Sequence, residues 1–207
     1  MTNSETGSES SGPQRPHRTA GRGPGKRERL VAAAGQVLYE NGVEKSALAD
    51  IAAAADVPLG NVYYYFKTKD ALVSAVVEDY QQTFGELRAQ VSQGAEPAGR
   101  LKALVAALTE RRERLASYGC RIGSLSSELS KRGDDSGAAV AGILAGLVDW
   151  AEIQFREMGR GDARELATAL IAAYEGIAVL AAALRDPGLI STETARLSRW
   201  IDSLASD

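Results

Sequence analysis

The chain has few of the side chains that catalysis or metal binding requires. Its 207 residues include one histidine and one cysteine. A single cysteine excludes an internal disulfide framework. The histidine, His17, lies in an N-terminal tail without a cysteine partner, and the sequence has no metal-ligand cluster and no glycine-rich phosphate loop. These absences argue against an enzyme, and we expect no catalytic residue, metal or cofactor.

Long apolar runs and strand patterns are also missing. No apolar run approaches the roughly 20 residues that span a membrane, and the N-terminus lacks the apolar core of a signal sequence. We therefore expect a cytoplasmic protein. Hydrophobic residues nevertheless make up 44% of the chain and recur at helical spacing in alanine-rich segments. This pattern predicts an all-α fold.

Positive charge is concentrated at one end of an acidic protein. The net charge is −3, which argues against a nonspecific polyanion binder. Six residues between 15 and 29 are basic and only Glu28 opposes them, whereas the chain from about residue 71 onward is net acidic. Residues 1–23 lack large apolar side chains, so we expect a disordered basic arm. This arm either contacts phosphates or remains a solvated tail.

The segment from 46 to 72 predicts two short helices joined by a tight turn. Ser46 is a suitable N-cap, and Ile51 lies on the apolar face of the first helix. Pro58 cannot lie inside a helix but favours the start of a new one, which we expect to end near Tyr65. Two lysines follow it. The outer face of this second helix carries Leu59, Gly60, Asn61, Tyr63 and Tyr64. A helix pair of this kind places its second helix in the major groove of DNA.

The whole stretch from about 25 to 80 resembles the DNA-binding domain of the TetR family of bacterial transcriptional regulators. The residues that match the family pattern are Gly42, Ser46, Ile51, Ala52, Ala55, Gly60, Tyr63, Tyr65, Phe66, Lys69 and Leu72. Asp56 replaces the usual glycine in the turn, where either residue can adopt left-handed geometry. The resemblance implies a three-helix DNA-binding domain followed by a helical domain that binds a small molecule and forms the dimer.

The predicted organisation has three parts: a basic arm at 1–23, a helix-turn-helix DNA-binding domain at 24–70, and a ligand-binding and dimerisation domain at 71–207. The expected helices lie at about 24–41, 46–55, 58–65, 68–91, 97–118, 121–132, 136–159, 162–186 and 190–205. The predicted DNA contacts are Arg22, Lys26, Ser46, Pro58, Leu59, Gly60, Asn61, Tyr63, Tyr64, Lys67 and Lys69. A dimer would let two such domains bind a palindrome.

Segment 166–184 is apolar nearly all round. Together with Leu197, Trp200, Ile201 and Leu204 of the last helix, it either forms a four-helix dimer interface, as members of the TetR family do, or is an internal core helix. The side chains that could line a ligand cavity are Tyr80, Phe84, Tyr118, Cys120, Trp150, Phe155, Tyr174 and Glu175. Glu175 is a carboxylate among apolar residues, which is costly unless it is paired. It could bridge the dimer or hold a ligand.

The Tyr-Gly-Cys segment at 118–120 resembles one branch of the TetR family, some members of which respond to electrophiles or oxidants. That role would need a partly exposed thiolate at Cys120, whose pKa Arg121 could lower; the alternative is a buried, inert thiol. The sequence as a whole predicts a repressor that binds a palindromic operator as a homodimer and is released by a small-molecule effector. A sensor acting through Cys120, or an activator without an effector, is the alternative.

Overall fold

The structure is a computed structural model that describes Met1 and residues 25–94, 96–133 and 135–205. These residues form helices and no strand, as the sequence predicts. The helices in chain order are α1 (Lys26–Asn41), α2 (Leu48–Ala54), α3 (Leu59–Tyr65), α4 (Lys69–Val91), α5 (Pro97–Thr109), α6 (Arg112–Tyr118), α7 (Arg121–Leu129), α8 (Asp135–Glu157), α9 (Ala163–Leu184) and α10 (Pro187–Ala205). The predicted basic arm lies outside the described residues, apart from Met1.

The first three helices form a compact head around buried apolar side chains. Leu30 of α1, Ile51 of α2 and Val62 of α3 are each at most 1% exposed. Gly42 ends α1 with φ +80°, and Asp56 occupies the turn between α2 and α3 with φ +50°. Both positive φ values were expected from the sequence, because asparagine, aspartate and glycine tolerate this region better than other residues.

The expected role of Ser46 is wrong. The N-cap of α2 is Ala47, whose backbone N–H donates to the carboxylate of Asp50 at 3.3 Å. Ser46 is 3% exposed, and its hydroxyl donates to the carbonyl of Gly42 at 2.6 Å. A buried hydroxyl that is already bonded to backbone cannot reach a DNA phosphate. Ser46 therefore stabilises the connection between α1 and α2 instead.

The long helix α4 joins the head to the body. Thr68 caps it as predicted, because its hydroxyl oxygen accepts from the backbone N–H of Ala71 at 3.0 Å. Helix α4 packs against α1 in the head and against α5 and α8 in the body. Helices α5 to α10 enclose the rest of the core, and α9 lies against α6, α8 and α10.

Several helix boundaries in the body differ from the prediction, including the end of α7 at Leu129 rather than near 132. The single helix expected at 97–118 is broken between α5 and α6, where Arg111 has the non-helical angles φ −97° and ψ 53°. No glycine or proline marks this break, so the sequence pattern did not predict it. The last helix begins at Pro187 rather than near 190, since proline suits the first turn of a helix.

Helices α8 and α9 are long and apolar enough to cross a membrane by length and composition, contrary to the expectation from the sequence. This test is also passed by core helices of soluble proteins. In the most apolar 18-residue stretch of each helix, 33% is buried within the chain. Part of the apolar surface of α9 therefore remains uncovered in the single subunit.

Candidate nucleic-acid interface and body cavity

Helix α3 is held by one face and presents the other to solvent. Val62 and Phe66 are 0% and 4% exposed and anchor it to the head. On the outer face, Leu59, Tyr63 and Tyr64 are 41%, 49% and 74% exposed. Pro58 and Gly60 are also exposed, and Asn61 is partly buried at the same end. The structure thus brings the predicted contact residues of this helix onto one surface.

Basic side chains border this surface. Lys67 is exposed, and its ammonium donates to the carbonyl of Tyr63 at 3.1 Å. Lys69 reaches the carbonyl of Glu44 at 3.4 Å, and Lys26 is exposed at the start of α1. Arg27, which the sequence did not single out as a contact, lies over the Phe66 ring at 5.4 Å. The remaining predicted contact, Arg22, lies outside the described residues.

The body contains a cavity of about 250 Å³ between α1, α4, α5, α6, α7 and α9. Of the residues predicted to line a ligand site, only Phe84 and Tyr174 are in its wall. The sequence analysis missed its polar lining, which includes Tyr39, Arg111, Arg114 and Arg121. Arg111 and Arg114 are three residues apart, a spacing that would place them on one helical face, but this signal alone does not reveal a cavity.

Several other predicted ligand residues lie elsewhere, which corrects the expectation. The Tyr80 hydroxyl is buried and donates to the carbonyl of Gly35 at 3.0 Å. Phe155 is fully buried against Trp200, and the indole N–H of Trp150 donates to Ser92 Oγ at 2.9 Å. The ring of Tyr118 is 38% exposed and packs on Tyr39 rather than lining the cavity.

Tyr174, which lines the cavity, forms a cluster with Cys120 and Glu175, which do not line it. Burial, followed by the neighbouring Glu175, raises the pKa of the Cys120 thiol to about 12. Burial also raises the pKa values of Tyr174 and Glu175. Cys120 is itself buried, and these conditions oppose a thiolate. Of the two alternatives that the sequence left open, the structure favours the buried, inert thiol over the exposed sensor.

Glu175 is turned inward within its own subunit. Its carboxylate interacts electrostatically with the neighbouring Cys120 thiol, and its Oε1 is buried without a hydrogen-bond partner in the described structure. A Cβ at position 123 would collide with its carboxylate, so Gly123 allows the close approach. Glu175 neither lines the cavity nor belongs to an exposed face, which corrects both roles that the sequence suggested.

The uncovered face of α9 carries apolar side chains. Val179, Leu180 and Leu184 are 64%, 54% and 66% exposed, and we call these three residues the α9 patch. Two of the residues predicted for the dimer interface on the last helix are buried instead. Leu197 and Ile201 are 2% and 0% exposed within the same subunit. These two cannot also face a partner chain.

Comparisons with known proteins agree with this geometry. The family model described as "Bacterial regulatory proteins, tetR family" matches residues 30–76, which include α2, α3 and parts of α1 and α4. The chain is 37% identical over 113 residues to the HTH-type transcriptional repressor DhaR of Mycobacterium sp. strain GP1. It is 31% identical over 139 residues to the transcriptional regulator AcuR of Cereibacter sphaeroides. These matches cover 52% and 64% of this chain, and 54% and 64% of the relatives' own lengths.

Solved structures extend the likeness over the body. A regulatory protein TetR from Rhodobacter sphaeroides is 26% identical, with a TM-score of 0.72 over 84% of this chain and 97% of that one. A TetR transcriptional regulator from Legionella pneumophila, at 18% identity, shares the fold with a TM-score of 0.75 over 87% of this chain and 97% of that one. With the exposed third helix of the head, these likenesses show that residues 30–76 match the DNA-binding region of the tetR family and that the chain shares the fold of TetR regulators.

Proposed function

We propose that this protein is a transcriptional repressor that binds a palindromic DNA operator as a homodimer and leaves it when a small molecule binds the body. The observation that carries the proposal is the surface of α3. Four of the ten large hydrophobic side chains exposed in the described residues belong to this seven-residue helix. Such exposure on a short helix serves contact with another molecule.

Helix α3 suits the major groove of DNA. In helix-turn-helix proteins the N-terminal residues of the second helix contact base edges, and the flanking side chains contact phosphates. Here Gly60 would allow a close approach and Asn61 could bond a base edge, while Tyr63 and Tyr64 offer rings and hydroxyls. Lys67 and Lys69 would neutralise phosphates. Both have flexible stems whose present carbonyl contacts are easily exchanged.

The α9 patch supports the homodimer. Contiguous exposed apolar side chains on a folded domain mark an interaction surface, and a two-fold axis through α9 would bury the same residues on both subunits. A dimer places two heads on DNA, where half-sites lie about 34–36 Å apart or at a multiple of that distance. The operator of such a dimer is a palindrome.

Helix α4 supports coupling between effector and DNA. Phe84 and Leu87 of α4 line the cavity, whereas Leu72 near its other end is buried in the core that includes the head. A ligand that shifts α4 would therefore change the spacing of the two heads, and it would favour release to the extent that it binds the shifted form better. We assign DNA binding to residues 24–70, ligand binding and dimerisation to 71–207, and the cytoplasm as location. This function is regulatory and not enzymatic.

The proposal is tested by fluorescence anisotropy of labelled DNA from upstream of the protein's own gene, titrated with the full chain in excess random competitor. Tyr63→Ala should abolish preferential binding. Ile153→Ala, which removes a side chain of similar exposure on α8 (47%), is the matched control and should bind normally. Equal binding by both variants would overturn the role of α3, provided that both retain the helical circular dichroism of the parent.

The salt dependence gives a second, independent measurement. Lys69→Ala should reduce the slope of log K against log salt concentration by about 0.9, the value for one phosphate contact. Lys131→Ala removes an exposed lysine in the body and should leave the slope unchanged. Identical slopes for the two variants would contradict a phosphate contact at Lys69.

A further inference from the structure

Arg121 lies between two tyrosine rings in the wall of the cavity. Its guanidinium carbon lies 5.2 Å from the centre of the Tyr39 ring and 5.3 Å from that of Tyr80. The side chain is partly buried and lines the cavity. No carboxylate in the described part of the chain pairs with it. Removing a charge from water is costly unless a partner compensates it, and two aromatic rings compensate only in part.

The neighbouring wall strengthens the positive character of the cavity. Arg114 contacts Glu40 through one nitrogen at 3.3 Å, but its Nε is buried without a hydrogen-bond partner in the described structure. Arg111 is exposed at the rim. Glu110 is in the lining and Glu40 pairs with Arg114, so the three arginines of the wall face two carboxylates and one positive charge remains in excess. The cavity therefore favours a ligand with negative charge.

The rest of the wall is apolar. Phe84 and Leu87 come from α4, and Leu108 and Leu115 come from α5 and α6. These side chains would cover a hydrocarbon or aromatic body rather than a hydrated inorganic ion. Tyr174 completes the lining from α9.

We propose that this cavity binds a small organic carboxylate, with the carboxylate on Arg121 and its apolar body against the α4 leucine and phenylalanine. A planar guanidinium matches a carboxylate through two parallel hydrogen bonds. The binding itself stands on the cavity alone. Its consequence, release of DNA, rests on the function proposed above.

The test uses the full chain without DNA, so that its failure is separate from any failure of DNA binding. Benzoate and butyrate are titrated by isothermal calorimetry against their neutral amides, benzamide and butyramide, and against sulfate. At least one carboxylate should bind at a single site, about tenfold or more tighter than its amide, since hydrogen bonds to charged groups contribute that much. Sulfate should bind more weakly than that carboxylate, because it has no apolar body.

Variants of Arg121 assign the site. Arg121→Met keeps the apolar stem and should weaken carboxylate binding about tenfold or more, while amide binding stays within about twofold of the parent. Arg121→Lys keeps the charge but not the planar guanidinium, so its affinity for the carboxylate should lie between those of the parent and Arg121→Met. Arg199→Met, at an exposed arginine of α10, is the matched control and should bind like the parent.

Three outcomes would overturn the proposal. They are no saturable binding of either carboxylate, equal binding of carboxylate and amide, and carboxylate binding that Arg121→Met leaves unchanged. Should Arg121→Met fail to fold by circular dichroism, Arg121→Lys decides, and carboxylate affinity equal to that of the parent would refute the bidentate contact.

Discussion

Truncation of the α9 patch should weaken the homodimer. Leu180 is 54% exposed in the single subunit. Full burial of a leucine side chain contributes about 1.5–3 kcal/mol, so covering its exposed part would contribute about 0.8–1.6 kcal/mol per subunit. Each residue of a two-fold interface counts twice. Leu180→Ala should therefore cost the dimer about 1.6–3.2 kcal/mol, which corresponds to a dissociation constant raised about 15- to 200-fold.

Sedimentation equilibrium over a concentration series measures this constant directly. The matched control is Leu59→Ala, because Leu59 is also an exposed leucine (41%) but lies on α3. Leu59→Ala should leave the dissociation constant of the dimer unchanged and weaken DNA binding. A dimer that dissociates at the same concentration in Leu180→Ala and in the parent would show that the partner does not cover this part of α9.

Two further predictions concern the buried polar groups of the body. Burial raises the pKa of Glu175 above its ordinary value of 4.5, so the free energy of unfolding of the parent should fall as the pH rises from 4.5 through the raised pKa. Glu175→Gln should not show this fall. Urea unfolding from pH 4 to 8 measures both proteins, and the same pH dependence of stability in the two would refute the prediction. Tyr39→Phe removes the hydroxyl that donates to the carbonyl of Gly119 at 2.6 Å, and should lower the free energy of unfolding by about 1 kcal/mol. An unchanged urea midpoint would contradict that bond.

Local signals account for most of what the sequence predicted correctly in the head. Thr68 caps α4 through a bond three residues along the chain, and Gly42 and Asp56 adopt positive φ where the sequence pattern required a turn. Such features depend on neighbouring residues alone. Ser46 was misjudged because its burial depends on how α1 and α2 pack together, and not on its position before a helix.

The body was harder to predict because its site is assembled from distant parts of the chain. Phe84 and Tyr174 were recognised as aromatic residues on helices, but aromatic character alone does not separate a cavity wall from a core, as Phe155 shows. Arg121 became informative only when α1 and α4 placed two tyrosine rings beside it. The break between α5 and α6, which shapes one side of the cavity, carries no sequence signal at all.

Hydroxyl-radical footprinting on the upstream DNA tests the central claim most directly. Because a dimer presents two α3 helices, we predict two protected stretches on one face of the duplex, with centres about 10 base pairs or a multiple apart. Both should disappear together in Tyr63→Ala. One protected stretch alone, or protection that random competitor DNA removes as readily for the parent as for the variant, would contradict the account.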